Sequence, residues 1–175
     1  MNKRPQFSVK KSLILIFTVA FVLRFVGIWY GLPSLYNSDE PKIVGYALSF
    51  GARRSLEPIF VEYPSLYFYF LFAIYGLYFL VGILSGIFNS VLDLAASYFL
   101  NPTGLFLVGR FVSVLLGSLT VLVVFYTGQR FFSRNVGLLA SLILALSFTH
   151  VSRSHWILLE AMLGLFCASA LYLIL

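Results

Sequence analysis

Long apolar runs separated by short polar segments constrain the fold of this chain more than any other feature. The first run, Leu13 to Leu32, is long enough as a helix to cross a hydrocarbon core of about 30 Å. Hydrophobic residues make up 61% of the chain, more than a soluble core can bury. We therefore predict an all-α polytopic membrane protein. Length and hydropathy predict about five transmembrane helices: 13–32, 64–86, 104–127, 136–151 and 156–175.

The longest polar segment is the loop from Pro33 to Tyr63, which holds four of the six acidic residues. Within it, apolar residues recur at helical spacing, so 41–50 is predicted to form an amphipathic helix in the membrane interface. Pro41 suits the first turn of such a helix. We interpret 1–175 as a single transmembrane domain in which 33–63 is the first external loop.

The basic residues before the first apolar run predict the orientation. Lys3, Arg4, Lys10 and Lys11 favour a cytoplasmic N-terminus and an external first loop. The net charge of +6 is interpreted as membrane orientation, so no nucleic-acid partner is expected. Arg24 interrupts the apolar run and no small-x-small cleavage site follows, which favours an uncleaved anchor over a signal peptide.

Two arginines conflict with this topology. With five spans, the turn from Arg130 to Arg134 lies outside, against the positive-inside bias. A re-entrant segment or a further short crossing at 87–100 would remove the conflict, although Asn89 and Asp93 make a crossing costly. We prefer the five-span topology because such a segment is shorter than a bilayer normally requires.

Asp39 and Glu40 are the leading candidates for chemistry, because they follow the first span by only a few residues. A carboxylate at the membrane surface can act on a lipid headgroup. Asp39 is also expected to cap the following helix, with Glu40 favoured by the helix dipole. Both roles can hold at once, although capping favours the ionised form of Asp39 and lowers its basicity.

Two arginines in or near spans are candidates for binding an anion. An arginine inside a span costs about 2.5 to 3.5 kcal/mol, so Arg24 should face protein, water or an anion, unless it snorkels to the surface. Arg110 presents a guanidinium fork that suits phosphate. Gly109, Ser113 and Gly117 recur every four residues, which predicts a small-residue stripe for close helix packing.

Glu62 lies where the loop re-enters the membrane. If the first two spans pack as a hairpin, Glu62 and Asp39 can converge, and hard divalent cations prefer such oxygen ligands. The alternative is a solvated interfacial glutamate beside Pro64, which opens the second helix. A divalent metal ion of unknown identity is therefore the only cofactor considered.

The segment from Arg153 to Glu160 brackets the start of the last span. Ser154 is predicted to cap that helix, and Glu160 to pair with Arg153 or Arg24. His150 and His155 lack the spacing for two zinc ligands on one helix face. Cys167 is the only cysteine, so no intrachain disulfide is possible.

The order of these motifs resembles the amino-terminal half of the GT-C glycosyltransferases, above all the protein O-mannosyltransferases and the aminoarabinose transferases acting on lipid A. The resemblance rests on the following motifs in order: Arg24-Phe25-x-Gly27, Pro33, Asp39-Glu40, Glu62-x-Pro64, Arg110-x-x-Ser113-x-x-x-Gly117 and Ser154-x-x-Ile157-Leu158-Leu159-Glu160.

The resemblance implies an enzyme that transfers a sugar from a polyprenyl-phosphate donor to a protein or glycolipid acceptor on the external or lumenal face. It implies that Asp39 is the catalytic base with Glu40 beside it, and that Glu62 contacts the acceptor or a metal. The partners implied are the lipid-linked donor, membrane lipid and the acceptor. The candidate donor-phosphate residues are Arg24, Arg110, Arg153 and His155.

The sequence also departs from these relatives. The segment Glu62-Tyr63-Pro64-Ser65 lacks their lysine or histidine, His155 replaces an arginine, and Glu160 replaces an aspartate. Family members run to several hundred residues, so the chain is expected to be the amino-terminal portion of a longer module. The alternative is a non-catalytic polytopic protein, either a degenerate family member or a partner subunit. A transporter is third, because no paired broken helices or repeat halves are visible.

Overall fold

A computed structural model describes residues 6–59 and 63–174, and this part of the chain is helical without strands, which confirms the all-α prediction. Side chains are described from residue 9 onward. The helices of the described part are α1 (Gln6–Phe25), α2 (Asp39–Arg53), α3 (Leu66–Leu84), α4 (Val91–Leu100), α5 (Thr103–Phe131), α6 (Arg134–Leu146), α7 (Phe148–Ser154) and α8 (Leu159–Ile174).

The second and third predicted spans correspond to α3 and α5, which are long and apolar enough to cross a membrane. Helices α6 and α7 meet the same criteria only as a pair that bends by 59°. The described residues therefore contain two candidate spans, or three if the bent pair counts as one, and the five-span count is not confirmed.

The first apolar run does not form one helix to its end. Helix α1 stops at Phe25, and turns continue as far as Ser34. Gly27 and Gly31 adopt φ values of 97° and 78°, a left-handed conformation that glycine tolerates and that an α-helix excludes. The predicted boundary at Leu32 was therefore wrong.

Helix α2 confirms the predicted amphipathic helix and extends it at both ends. Its buried side includes Ile43, Val44 and Ala47, and its aromatic residues pack on α3. The predicted cap was wrong, because Ser38 is the N-cap and Asp39 is the first helical residue. Its location at a membrane interface remains a prediction.

Within segment 87–100, only Val91–Leu100 is helical and forms the short helix α4. Ser90 and Asp93 form a capping box, and the backbone N–H groups of Asn89 and Ser90 donate to the Asp93 carboxylate at 2.7 and 3.1 Å. These bonds, the one from Asn89 first, lower the pKa of Asp93. Ten residues rise only about 15 Å, so this helix is too short to be a further crossing.

The chain forms two compact units. Unit 1 comprises Met1–Ile28, Ser113–His155 and Leu159–Leu175, and unit 2 comprises Trp29–Val112 and Trp156–Leu158.

Within unit 1, the fourth predicted span is the bent pair α6–α7, and the last helix begins at Leu159 instead of 156. Ser154 ends α7, and its Oγ donates to the His150 carbonyl at 2.7 Å. The prediction that Ser154 caps the last helix was therefore wrong, because the non-helical residues 155–158 separate α7 from α8.

The small-residue stripe of α5 packs closely, as predicted. A Cβ atom at Gly109 would lie 2.6 Å from the Cδ1 atom of Ile157 within unit 2. A Cβ atom at Gly117 would collide with the Ser154 side chain within unit 1. Both positions therefore need glycine for close approach.

Candidate active site

The first turn of α2 places two neighbouring carboxylates in opposite environments. The Asp39 side chain is 48% exposed, and its Oδ1 atom lies 3.4 Å from Lys42 Nζ. The Glu40 residue is 0% exposed. Successive side chains point about 100° apart around a helix, so only one of the pair faces the interior of unit 2.

Glu40 forms a bidentate ion pair with Arg110 of α5. Arg110 Nε donates to Glu40 Oε1 at 2.8 Å, and Nη2 donates to Oε2 at 2.6 Å. The backbone N–H of Ile157 donates to the same Oε1 at 2.9 Å. Arg110 Nη1 donates to the Tyr30 carbonyl at 2.8 Å. Opposite charges and several hydrogen bonds together compensate the loss of water around this pair.

Trp156 also contacts this ion pair. The Arg110 guanidinium carbon lies 4.6 Å from the centroid of the Trp156 ring, within cation–π distance. The break between α7 and α8 therefore contributes an aromatic face from Trp156 and a backbone donor from Ile157. Sequence reasoning missed both contributions, since it placed these residues inside a continuous span. A backbone donor leaves no signal in the sequence.

Arg24 is the corresponding buried cation of unit 1, at 0% exposed. Its Nη1 atom donates to the carbonyls of Ala20 (2.8 Å) and Ala145 (3.2 Å), and its Nη2 atom donates to the Leu144 carbonyl (3.1 Å). The last carbonyls of a helix lack intrahelical donors, and Arg24 supplies donors where α6 ends. Arg24 faces protein, as predicted, and the snorkelling alternative was wrong.

His150 is the fourth partner of Arg24. Its Nδ1 atom lies 2.9 Å from Arg24 Nη2. A guanidinium can only donate, so Nδ1 must accept and the imidazole is neutral with its proton on Nε2. Sequence reasoning considered His150 only as a metal ligand and missed this contact.

The remaining cationic candidates are more accessible. Arg153 Nη1 lies 3.4 Å from Glu160 Oε1, and the two side chains are 57% and 50% exposed. This pairing confirms Arg153 as the partner of Glu160 and leaves Arg24 without that role. His155 is half-buried, and its Nε2 atom lies 3.1 Å from the Leu23 carbonyl oxygen.

Glu62 lies outside the described residues, so its convergence with Asp39 stays a prediction. Within 6–59 and 63–174, no group of three or more His, Cys, Asp or Glu side chains could hold a metal ion. A divalent cation held by Glu62 and Asp39 therefore stays a prediction.

The fold and these clusters define a helical integral membrane protein that presents an exposed aspartate beside a buried glutamate–arginine pair. Residues 77–175 match the family model described as dolichyl-phosphate-mannose-protein mannosyltransferase. The match covers more than half of the chain, so the chain belongs to this family of membrane glycosyltransferases. No curated protein and no solved structure matches the chain.

The matched segment contains only some of the candidate residues. Arg110, Arg153 and His155 lie within it, whereas Arg24 and the acidic pair precede it. Family membership therefore supports the resemblance to mannosyltransferases over the matched segment, which includes α4 to α8. The roles of the residues in the first loop rest on their environment in the structure.

Proposed function

We propose that the protein transfers a sugar from a polyprenyl-phosphate donor to a hydroxyl group of a protein or glycolipid acceptor on the external face of the membrane. Family membership supports this class of reaction. The observation that carries the assignment of the base is the contrast between exposed Asp39 and buried Glu40.

In this proposal, the acceptor hydroxyl attacks the anomeric carbon while the bond from that carbon to the lipid phosphate oxygen breaks. Asp39 takes the hydroxyl proton, and the polyprenyl phosphate leaves with one additional negative charge. Inversion at the anomeric carbon follows from a single displacement. The reaction needs a base near the hydroxyl and positive charge near the leaving phosphate.

Glu40 and Arg110 act as positioning residues in the proposal. Both Glu40 oxygens accept bonds from Arg110, and one also accepts from Ile157, so Glu40 is poorly placed to take a further proton. Three Arg110 nitrogens donate to protein oxygens, which argues against a direct phosphate contact. The ion pair instead anchors the first turn of α2, which carries Asp39.

Arg153 and His155 are the preferred residues for the leaving phosphate. Arg153 is exposed, whereas Arg24 is fully buried against carbonyl oxygens. We retain Glu62 as a candidate for the acceptor or for a divalent cation. The basic residues before the first apolar run, including Lys10 and Lys11, support a cytoplasmic N-terminus and hence an external Asp39.

The test measures sugar transfer in membranes that contain the full native protein, with radiolabelled polyprenyl-phosphate mannose as donor. Asp39→Asn should lower the transfer rate about 10² to 10⁴-fold, the typical contribution of a general base. Its abundance in the membrane should not change. Glu57→Gln is the matched control, because Glu57 is an exposed acid of the same loop.

Transfer at the normal rate by Asp39→Asn would reject Asp39 as the base. If the unchanged protein transfers neither mannose nor aminoarabinose from polyprenyl-phosphate donors, transfer of these two sugars is rejected and the non-catalytic alternative is favoured.

A further inference from the structure

An apolar groove lies in unit 1 among three helices, α5, α6 and α8. Its volume is about 230 Å³. Small residues form part of its wall, which lets a ligand approach the helix backbones. The lining residues are Val124, Thr127, Gly128, Phe132, Val136, Ala140, Ala168 and Leu171.

The groove offers hydrocarbon contacts and little else. Thr127 is the one lining residue with a polar side chain, and its Oγ1 atom donates to the Val123 carbonyl at 2.9 Å. A polar ligand would lose its hydrogen bonds to water there without gaining protein partners. An aliphatic chain has no such hydrogen bonds to lose. The groove therefore suits a hydrocarbon chain.

One end of the groove carries positive charge. Gly128, Phe132 and Val136 line the groove at the α5–α6 turn, and this turn bears the exposed residues Arg130 and Arg134. Arg130 Nη1 donates to the Tyr172 carbonyl of α8 at 2.8 Å, which ties the arginine to the third helix of the groove.

Two further features leave this charge available to a ligand. The sequence has no acidic residue between Asp93 and Glu160, and neither arginine forms a salt bridge within the described residues. The turn also contains the N-terminus of α6, which adds partial positive charge in the same place.

We propose that this groove binds an anionic phospholipid of the bilayer. One acyl chain occupies the groove, and the phosphate lies against Arg130 and Arg134. Apolar lining and exposed cations at one end match the two parts of such a lipid. The proposal also gives the arginines of this turn a role that does not depend on which side of the membrane they face.

The test uses the full native protein, purified and delipidated in detergent, with lipid binding measured by native mass spectrometry. Phosphatidylglycerol and phosphatidylcholine with the same acyl chains are the probes. An exposed ion pair contributes up to about 1 kcal/mol, which is about a fivefold change in affinity. With two arginines, the unchanged protein should bind phosphatidylglycerol up to about 25-fold more tightly than phosphatidylcholine.

Three variants distinguish the contribution of the arginine charge to lipid binding from that of the apolar groove. Arg134→Gln leaves the Arg130–Tyr172 contact intact and should reduce the preference about fivefold. Ala140→Phe should fill the groove and weaken binding of both lipids, while thermal unfolding reports whether it folds. Arg53→Gln with Arg54→Gln is the matched control, because this exposed pair lies in unit 2.

The proposal is overturned by equal binding of the two lipids, or by an Arg134→Gln variant that keeps the full preference. Unchanged binding by a folded Ala140→Phe variant would also overturn it. Polyprenyl phosphate serves as a competitor. If it displaces phosphatidylglycerol at lower concentration than phosphatidylglycerol itself binds, the groove belongs to the donor and the phospholipid assignment fails.

Discussion

Among the described residues, each of the two units buries one arginine completely, and the two arginines are stabilised in different ways. In unit 2, Arg110 meets the Glu40 carboxylate through two short hydrogen bonds, so the cluster has no net charge. In unit 1, Arg24 meets backbone carbonyls and a neutral imidazole, so its cluster keeps a positive charge.

The difference shows that hydrogen-bond acceptors alone can accommodate a buried guanidinium in a helical membrane protein, without a counterion. A bend between helices supplies acceptors, because carbonyls at a helix end lack intrahelical donors. A counterion has to be a carboxylate that lies on another helix, as Glu40 of α2 does for Arg110 of α5. Removal of Arg110 and removal of Arg24 should therefore have different consequences.

The largest effect is expected when one partner of the unit 2 pair is removed. Arg110→Met should lower the free energy of unfolding by about 3 to 5 kcal/mol, because it leaves a buried carboxylate without its cation. Glu40→Gln should act in the same direction. Equilibrium unfolding in mild detergent measures both changes.

The double variant Glu40→Gln with Arg110→Met is the control. It leaves no buried charge, so its loss should be much smaller than the sum of the two single losses. Additive losses would show that the two side chains do not interact.

Removal of the unit 1 arginine should have a smaller effect. Arg24→Met leaves two uncharged groups without donors, namely the Ala145 carbonyl and the His150 imidazole, since the Leu144 carbonyl still accepts from the Ser147 backbone N–H at 3.3 Å. Each such group costs about 1 to 3 kcal/mol, but the variant also removes a charge that is buried without a counterion, so we expect a net loss of about 2 kcal/mol. The same unfolding assay applies, and a loss larger than that of Arg110→Met would contradict the comparison.

Helix packing in the two units should respond alike to added volume. Gly109→Ala and Gly117→Ala each place a methyl group against a neighbouring side chain and should lose about 1 to 3 kcal/mol. Gly76→Ala meets nothing within 4 Å and should gain up to about 1 kcal/mol from helix propensity. Thermal unfolding compares the three variants, and equal effects would contradict close packing along the stripe.

The smallest effect on stability is expected at the exposed ion pair. Glu160→Gln should change the free energy of unfolding by less than about 1 kcal/mol, since both side chains are half exposed to solvent. Arg153→Gln should be equally mild for stability but should raise KM for the donor if Arg153 binds phosphate. Normal donor KM in a folded Arg153→Gln variant would remove it from the proposed site.

The sequence predicted the helical class, α3, α5, the amphipathic α2 and the small-residue stripe, because each depends on periodicity or length. The sequence did not predict where the helices are interrupted. The turn after Phe25 depends on the left-handed conformations of Gly27 and Gly31, which hydrophobic periodicity does not reveal. The bend at Ser147 contains neither glycine nor proline, and Arg24, more than a hundred residues earlier, supplies donors to carbonyls beside it.

For the candidate site too, the sequence predicted one part and only the tertiary structure showed the rest. The sequence identified Asp39, Glu40 and Arg110 as chemically important from their types and places, and it paired Glu160 with Arg153 as one of two alternatives. It gave Glu40 a catalytic role beside Asp39 and Arg110 a phosphate-binding role, both still untested. The tertiary structure paired Glu40 with Arg110 and added Trp156 and the Ile157 backbone to the same cluster.

The sequence by itself determined that this protein is helical, enters a membrane and carries an acidic pair after its first apolar run. Those properties follow from composition and local spacing. Only the tertiary structure decided which acid is exposed and which arginine receives a counterion. Burial and pairing depend on contacts between residues far apart in the chain, and no local pattern encodes them.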